Sequence, residues 1–147
     1  MSGRAERLGR LLAIRRLNEE LGRRELALAL ASVAEVESAL TQQEAALLEA
    51  GLAARRALDR GERGEWLMAD AQGEVAGWNR GRLRVLLQAR AARVAPAMEK
   101  FLESRREHEQ VKRLVEHARQ AVQVKEDRRA QVAADDWFLS RRTLADE

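Results

Sequence analysis

The fold is decided by residues 59–81, which read DRGERGEWLMADAQGEVAGWNRG and contain five glycines. Glycine weakens a helix because it loses more backbone entropy on folding than any other residue. A cluster of glycines between two long periodic segments therefore indicates the place where the chain turns round. We interpret 59–81 as a short tip with one or two helical turns around Trp66, because it has too few apolar residues for a second domain.

On both sides of this tip, apolar residues recur at alternating spacings of three and four, which is the period of a helical stripe. Before the tip, from about residue 4 to 58, the stripe consists of Ile14, Leu17, Leu21, Leu28, Val33, Val36, Leu40 and Leu47. After the tip, from about 82 to 141, it consists of Leu83, Leu87, Val94, Met98, Phe101, Val111, Leu114, Ala118, Val122 and Val132. The repeat slips between residues 21 and 33, which predicts a locally relaxed supercoil. Pro96 predicts a kink near Arg93.

Neither stripe can be buried alone, and a connection of about 20 residues allows each to cover the other. The sequence therefore predicts an all-α fold, a long two-helix antiparallel coiled-coil hairpin with a short Gly-rich, partly helical tip. Residues 1–147 would form a single coiled-coil domain. The composition agrees, since aromatic residues make up only 3% of the chain and it has one proline, so that the core is a narrow seam between uninterrupted helices.

The charge distribution supports antiparallel pairing. Residues 25–54 contain five glutamates and no Lys or Arg. If the chain folds about residue 70, that acidic stretch lies opposite residues 86–115, where seven basic residues outnumber four glutamates. Pairs of opposite charge beside a helical seam favour one orientation and one register, although each exposed pair contributes only about 0–1 kcal/mol.

The sequence lacks the residue patterns of a catalytic or metal site. Cysteine is absent, and His108 and His117 are nine residues apart, which places them on opposite sides of a helix. The carboxylate pairs at 126–127 and 135–136 have no concave pocket in a two-helix protein that would shift their pKa values. We therefore expect no enzyme activity, no cofactor and no metal. No apolar leader or membrane-spanning run is present, which predicts a cytoplasmic protein.

Three tryptophans and the arginine clusters leave two questions open. Trp66 and Trp78 either pack on each other to cap the hairpin or bind a partner, for which tryptophan is enriched. The same choice applies to Trp137.

Arginines cluster near both ends of the chain, but acids interleave them and no recognition motif is present, so an acidic protein surface is the expected target rather than a specific nucleic acid.

Two short segments resemble the FliJ family and its YscO-type relatives, small coiled-coil stalk proteins of bacterial flagellar and virulence type III export machines. Residues 12–17, LAIRRL, with Glu20 are similar to the family's opening Arg-x-x-x-Glu helix. Lys125-Glu126 followed by residues 135–142, DDWFLSRR, resembles the closing acidic pair with its following arginines. The resemblance covers the length and layout of the whole chain, except that Trp137 stands where a small or acidic residue is more usual.

This resemblance implies a non-catalytic stalk of a bacterial flagellar or virulence type III export apparatus, which couples a hexameric export ATPase to the export gate membrane protein and also escorts export chaperones. It would lie in the cytoplasm, peripheral to the inner membrane. The residues expected to bind the ATPase ring are Arg15, Arg16, Glu20, Asp136, Trp137, Arg141 and Arg142. Those expected to bind the gate, at the tip, are Trp66, Leu67 and Trp78. The alternatives are a generic coiled-coil scaffold or adaptor and an Arg-rich nucleic-acid-binding helical protein.

Overall fold

The computed structural model describes residues 2–146 and has the predicted fold class, an all-α helical hairpin. Its helices are α1 (Ser2–Arg60), α2 (Arg63–Ala91) and α3 (Val94–Ala145). The described chain is 97% helical and contains no strand. Helix α1 forms the first leg of the hairpin, and α2 and α3 together form the second leg, which is bent by 20°.

The chain reverses direction within two residues, so the predicted tip at 59–81 is wrong in its extent. Gly61 has a φ of 70°, in the left-handed region that glycine enters without a steric penalty. The N–H groups of Gly61 and Glu62 donate to the carbonyls of Leu58 and Ala57 at 3.1 and 2.9 Å, which closes the last turn of α1. The later glycines of this segment lie inside α2, because a helical glycine costs only about 1 kcal/mol relative to alanine.

The helix of the second leg is interrupted near Arg93, where the proline predicts a kink. Residues Ala92 and Arg93 separate α2 from α3, and their N–H groups donate to Gln88 and Arg90 at 3.0 and 3.1 Å. Pro96 falls in the first turn of α3, where a backbone N–H has no acceptor within the helix and its loss costs little. The chain therefore tolerates this proline by ending one helix and starting another.

Packing divides residues 2–146 into two compact units, each containing a segment of α1. We call residues 21–102 the turn unit, because it contains the reversal at Gly61. Residues 2–20 and 103–146 form the end unit.

Burial in the turn unit recurs every seven residues along α1. One series of buried and half-buried positions is Gly22, Ala29, Val36, Gln43, Ala50 and Ala57, and a second is Leu26, Val33, Leu40, Leu47 and Ala54; Ser32 and Ala39 are half-buried as well. The period continues without interruption from residue 21 to 33, so the predicted slip there is wrong. Gly22 and Ala29 keep the repeat with side chains too small to be recognised in an apolar stripe. The interlocking side chains of a coiled coil remain a prediction.

Half of the predicted α1 stripe faces solvent. Val33, Val36, Leu40 and Leu47 are buried or half-buried, whereas Ile14, Leu17, Leu21 and Leu28 are exposed, Leu28 to 71%. The first half of α1 offers two stripes, and within the turn unit the structure buries the one that contains Gly22, Leu26 and Ala29. Small residues allow the backbones to approach closely, since a Cβ added to Gly22 would lie 3.3 Å from the Phe101 Cα.

The predicted charge complementarity is present in the turn unit, but in a different register. Glu25 pairs with Lys100 at 3.1 Å, Glu35 with Arg90 at 3.7 Å, and Glu44 with Arg84 at 3.8 Å. These pairs place the fold at Gly61–Glu62 rather than at residue 70. The acidic stretch 25–54 therefore lies opposite α2 and the start of α3, not opposite 86–115.

In the end unit, α3 extends far beyond the segment of α1 that packs on it. Val111 is buried there, and Leu8, Leu12 and Val115 are half-buried. From Arg119 to Asp146 every residue of α3 is exposed. At 1.5 Å per residue, this unpaired segment of α3 is about 40 Å long.

Candidate partner-binding surfaces

A charged cluster lies in the seam of the end unit, where the heptad repeat would otherwise place apolar residues. The Arg15 Nη1 donates to Glu107 Oε2 at 2.6 Å, and His108 Nδ1 contacts Glu19 Oε2. The side chains of His108 and Glu19 are only 18% and 14% exposed. The Arg15 Nε is buried without a partner among the described residues. Arg15, which the sequence assigned to an ATPase surface, thus joins α1 to α3, and its role in binding a partner stays a prediction.

The seven residues assigned to the ATPase ring fall into two separate groups. Arg16 and Glu20 are exposed on α1, beside the Arg15–Glu107 contact. Trp137 lies 30 residues after Glu107 on the same helix, which is about 45 Å away. One partner surface of ordinary size does not include both groups, so we treat the end of α3 as the candidate site.

The end of α3 presents large apolar side chains that no described residue covers. Trp137 and Phe138 are 59% and 68% exposed, and Leu139 and Leu144 are exposed as well. The Arg141 guanidinium lies 4.8 Å from the centroid of the Trp137 ring, which is a cation–π contact. Asp136 and Arg142 are exposed beside them. This combination of aromatic and arginine side chains is typical of protein-binding hot spots.

Local hydrogen bonds support the unpaired segment of α3. Gln123 donates to Asp127 at 3.0 Å and Gln131 donates to Asp135 at 3.1 Å, each across four residues. Such pairs stabilise a helix by about 0.2–0.5 kcal/mol each. An isolated helix of this length is only marginally stable in water. A partner that packs on the segment would therefore stabilise the helix as well as bind it.

The residues predicted to bind at the tip lie on α2 and do not form one cluster. Trp66 is half-buried and lines a cavity of about 140 Å³ beside the turn, with Leu58 and Arg63 among its neighbours. Trp78 follows twelve residues later, about 18 Å along the helix. The interpretation that Trp66 and Trp78 pack on each other is therefore wrong.

Trp78 belongs instead to an exposed apolar stripe on the outer face of α2. The stripe consists of Leu67, Val75, Trp78 and Val85, and Trp78 is 71% exposed. The spacings of eight, three and seven residues place these side chains on one side of a helix. The sequence carries this periodicity, but it was missed because three of the four residues, all except Val85, lie in the glycine-rich segment interpreted as a tip. We call these four residues the α2 stripe.

Two properties of the described chain bear on other functions. Residues 2–146 contain no group of three or more His, Cys, Asp or Glu side chains arranged to hold a metal ion. Within the same range, no helix combines the length and the apolar character needed to cross a bilayer.

The chain matches no family model, no curated protein and no solved structure. The resemblance of residues 12–17 and 135–142 to the FliJ family therefore remains a prediction.

Proposed function

We propose that this chain is a non-catalytic stalk of a bacterial flagellar or type III protein export apparatus, which binds the export ATPase ring and couples it to the export gate. The observation that carries the proposal is the unpaired end of α3, where Trp137 and Phe138 are exposed. Exposed aromatic side chains beside arginines are suited to a protein partner. Escort of export chaperones and a peripheral position at the inner membrane belong to the same proposal.

The α2 stripe supplies the second surface that a coupling protein requires. Trp78 and its neighbours lie in the turn unit, whereas Trp137 lies in the end unit. Two apolar surfaces on different units allow two partners to bind without competing for the same residues. We assign the end of α3 to the ATPase and the α2 stripe to the gate.

The first test measures ATP hydrolysis by a purified hexameric export ATPase with and without this protein. We expect the wild-type protein to raise the rate of hydrolysis or to promote assembly of the ring, and W137A/F138A to lose most of that effect. V124A is the matched control, because Val124 is an exposed apolar residue of the same unpaired segment. If the wild-type protein changes neither hydrolysis nor assembly, the proposal is wrong.

The second test separates the two surfaces. W78A is expected to weaken binding to the cytoplasmic part of the gate protein in a pull-down and to leave ATPase stimulation intact. W137A/F138A is expected to have the opposite pattern. Loss of both activities in either variant would contradict the assignment of separate surfaces.

A generic helical adaptor is the second candidate, and the exposed Leu21 and Leu28 of α1 favour it, because the stalk assignment gives them no partner. An adaptor would bind its targets in the absence of any export ATPase. Pull-downs from a strain that lacks the ATPase therefore distinguish the two functions.

A further inference from the structure

Asp135, Phe138 and Arg142 form a charged and apolar face on the unpaired segment of α3. Their spacings of three and four residues place them in line on one side of the helix, with Leu139 beside them. All four side chains are exposed. Asp135 accepts a hydrogen bond from Gln131 at 3.1 Å, and neither Asp135 nor Arg142 makes an ion pair with any of residues 2–146. The two charges are about 10 Å apart along the axis, too far to pair within one helix.

This face is complementary to itself. Consider a twofold axis that passes between Phe138 and Leu139, perpendicular to the helix. Asp135 and Arg142 lie at equal distances on either side of that axis, so an antiparallel second helix places each Asp135 opposite the Arg142 of the other copy. Phe138 and Leu139 of both copies then meet at the axis. A parallel pairing would place like charges together, so the charges select the antiparallel orientation.

We propose that the unpaired ends of α3 from two copies of this chain bind each other antiparallel through this face, forming a twofold-symmetric dimer. An interface of this kind uses the same residues on both copies, which a twofold dimer requires. The overlap covers about residues 131–146, including the small apolar residues Ala134 and Ala145. Such a short overlap buries less than the roughly 1,200–2,000 Å² of a standard stable interface, so the dimer is weak and dissociates on dilution. The pairing is a property of the free protein and does not depend on the export role.

The test is sedimentation velocity over a range of concentrations at low salt, with charge-reversal variants of the full chain. We expect the wild-type protein to dimerise reversibly and D135R or R142D to weaken the dimer by about tenfold, because each variant replaces two attractive pairs by two repulsive ones. An equimolar mixture of D135R and R142D is expected to recover the wild-type affinity, because one variant then presents only positive charges on this face and the other only negative charges.

Matched controls are available on the same segment. D136R and R141D make the same changes of charge, but their side chains lie about 110° to either side of the proposed face, and they should leave the dimer within about twofold of wild type. Circular dichroism checks that every variant keeps its helix content. A wild-type protein that stays monomeric at the highest concentration overturns the proposal. So do charge-reversal variants that dimerise normally, or a mixture that fails to recover dimerisation.

Discussion

At the residue scale, the reversal of the chain depends on the backbone of Gly61. A Cβ at this position meets no atom within 4 Å, so G61A changes only the energy of the left-handed conformation. We expect G61A to reduce the free energy of unfolding by about 1–2 kcal/mol. A Cβ at Gly64, inside α2, also has open space, and G64A should stabilise the protein by about 0.5–1 kcal/mol. Chemical denaturation of both variants measures this, and a stabilising G61A would contradict the turn.

Glu62 is the N-cap of α2 but makes no side-chain capping bond. A side-chain hydrogen bond with Glu62, together with repulsion from its charge, raises the pKa of Glu65. A carboxyl group with a raised pKa in the folded state contributes stability below its unfolded pKa, and that contribution is lost as the pH rises through the folded pKa. We expect E62Q to lower the pKa of Glu65, measured by NMR titration, and to remove this pH dependence.

E62S should have the same effect on Glu65 and also supply the missing N-cap, since serine is among the preferred capping residues. A higher thermal midpoint for E62S than for E62Q is the expected order. If the pKa of Glu65 is the same in both variants as in wild type, Glu62 is not the cause of the shift.

At the element scale, periodicity predicted where long helices occur but not which face of α1 packs. Leu21 and Leu28 are the larger side chains, so they dominated the predicted stripe, yet Gly22 and Ala29 lie in the seam. Burial of a large side chain is favourable only where a partner covers it. Two helices whose backbones approach closely leave no room for large side chains between them. The glycines of 64–81 led to the wrong extent of the predicted tip for a related reason. Their weak helix propensity is a small local cost that the pairing of α2 with α1 overrides.

Gly22 gives a direct test of this close approach. A Cβ at Gly22 would lie 3.3 Å from the Cα of Phe101, whereas a Cβ at Gly51 would meet nothing within 4 Å. Both positions lie inside α1, so alanine should gain about 1 kcal/mol of helix propensity at each. We expect that gain in full for G51A and expect G22A to fall below it by at least about 1 kcal/mol, because the backbone of α3 must move away. Equal stability of the two variants, measured in urea, would mean that the helices do not approach closely at residue 22.

At the scale of the whole molecule, the sequence predicted the hairpin and the pairing of acidic with basic segments, but not the register. The register depends on where the turn lies. Gly61 differs from the other glycines of this segment in its backbone conformation, with a positive φ, which cannot be read from the sequence. The error had consequences for the site. With a fold near residue 70, both ends of the chain would lie together, and Arg15 and Trp137 would belong to one surface. Reversal at Gly61 instead pairs Arg15 with Glu107 and leaves α3 unpaired beyond Ala118.

Deletion of residues 119–147 tests whether the unpaired segment of α3 serves binding rather than folding. Each of residues 119–146 is exposed, so we expect the free energy of unfolding of the truncated protein, measured in urea, to lie within about 0.5 kcal/mol of that of the full chain.

In the full chain at low concentration, the amides of this segment should exchange hydrogen for deuterium much faster than those around Val36, which is buried. Raising the protein concentration should slow exchange at residues 131–146 much more in wild type than in D135R, because the charge reversal weakens the pairing of this face. Slow exchange throughout the segment at low concentration, or loss of the remaining helices on truncation, would mean that the end of α3 is part of the folded core.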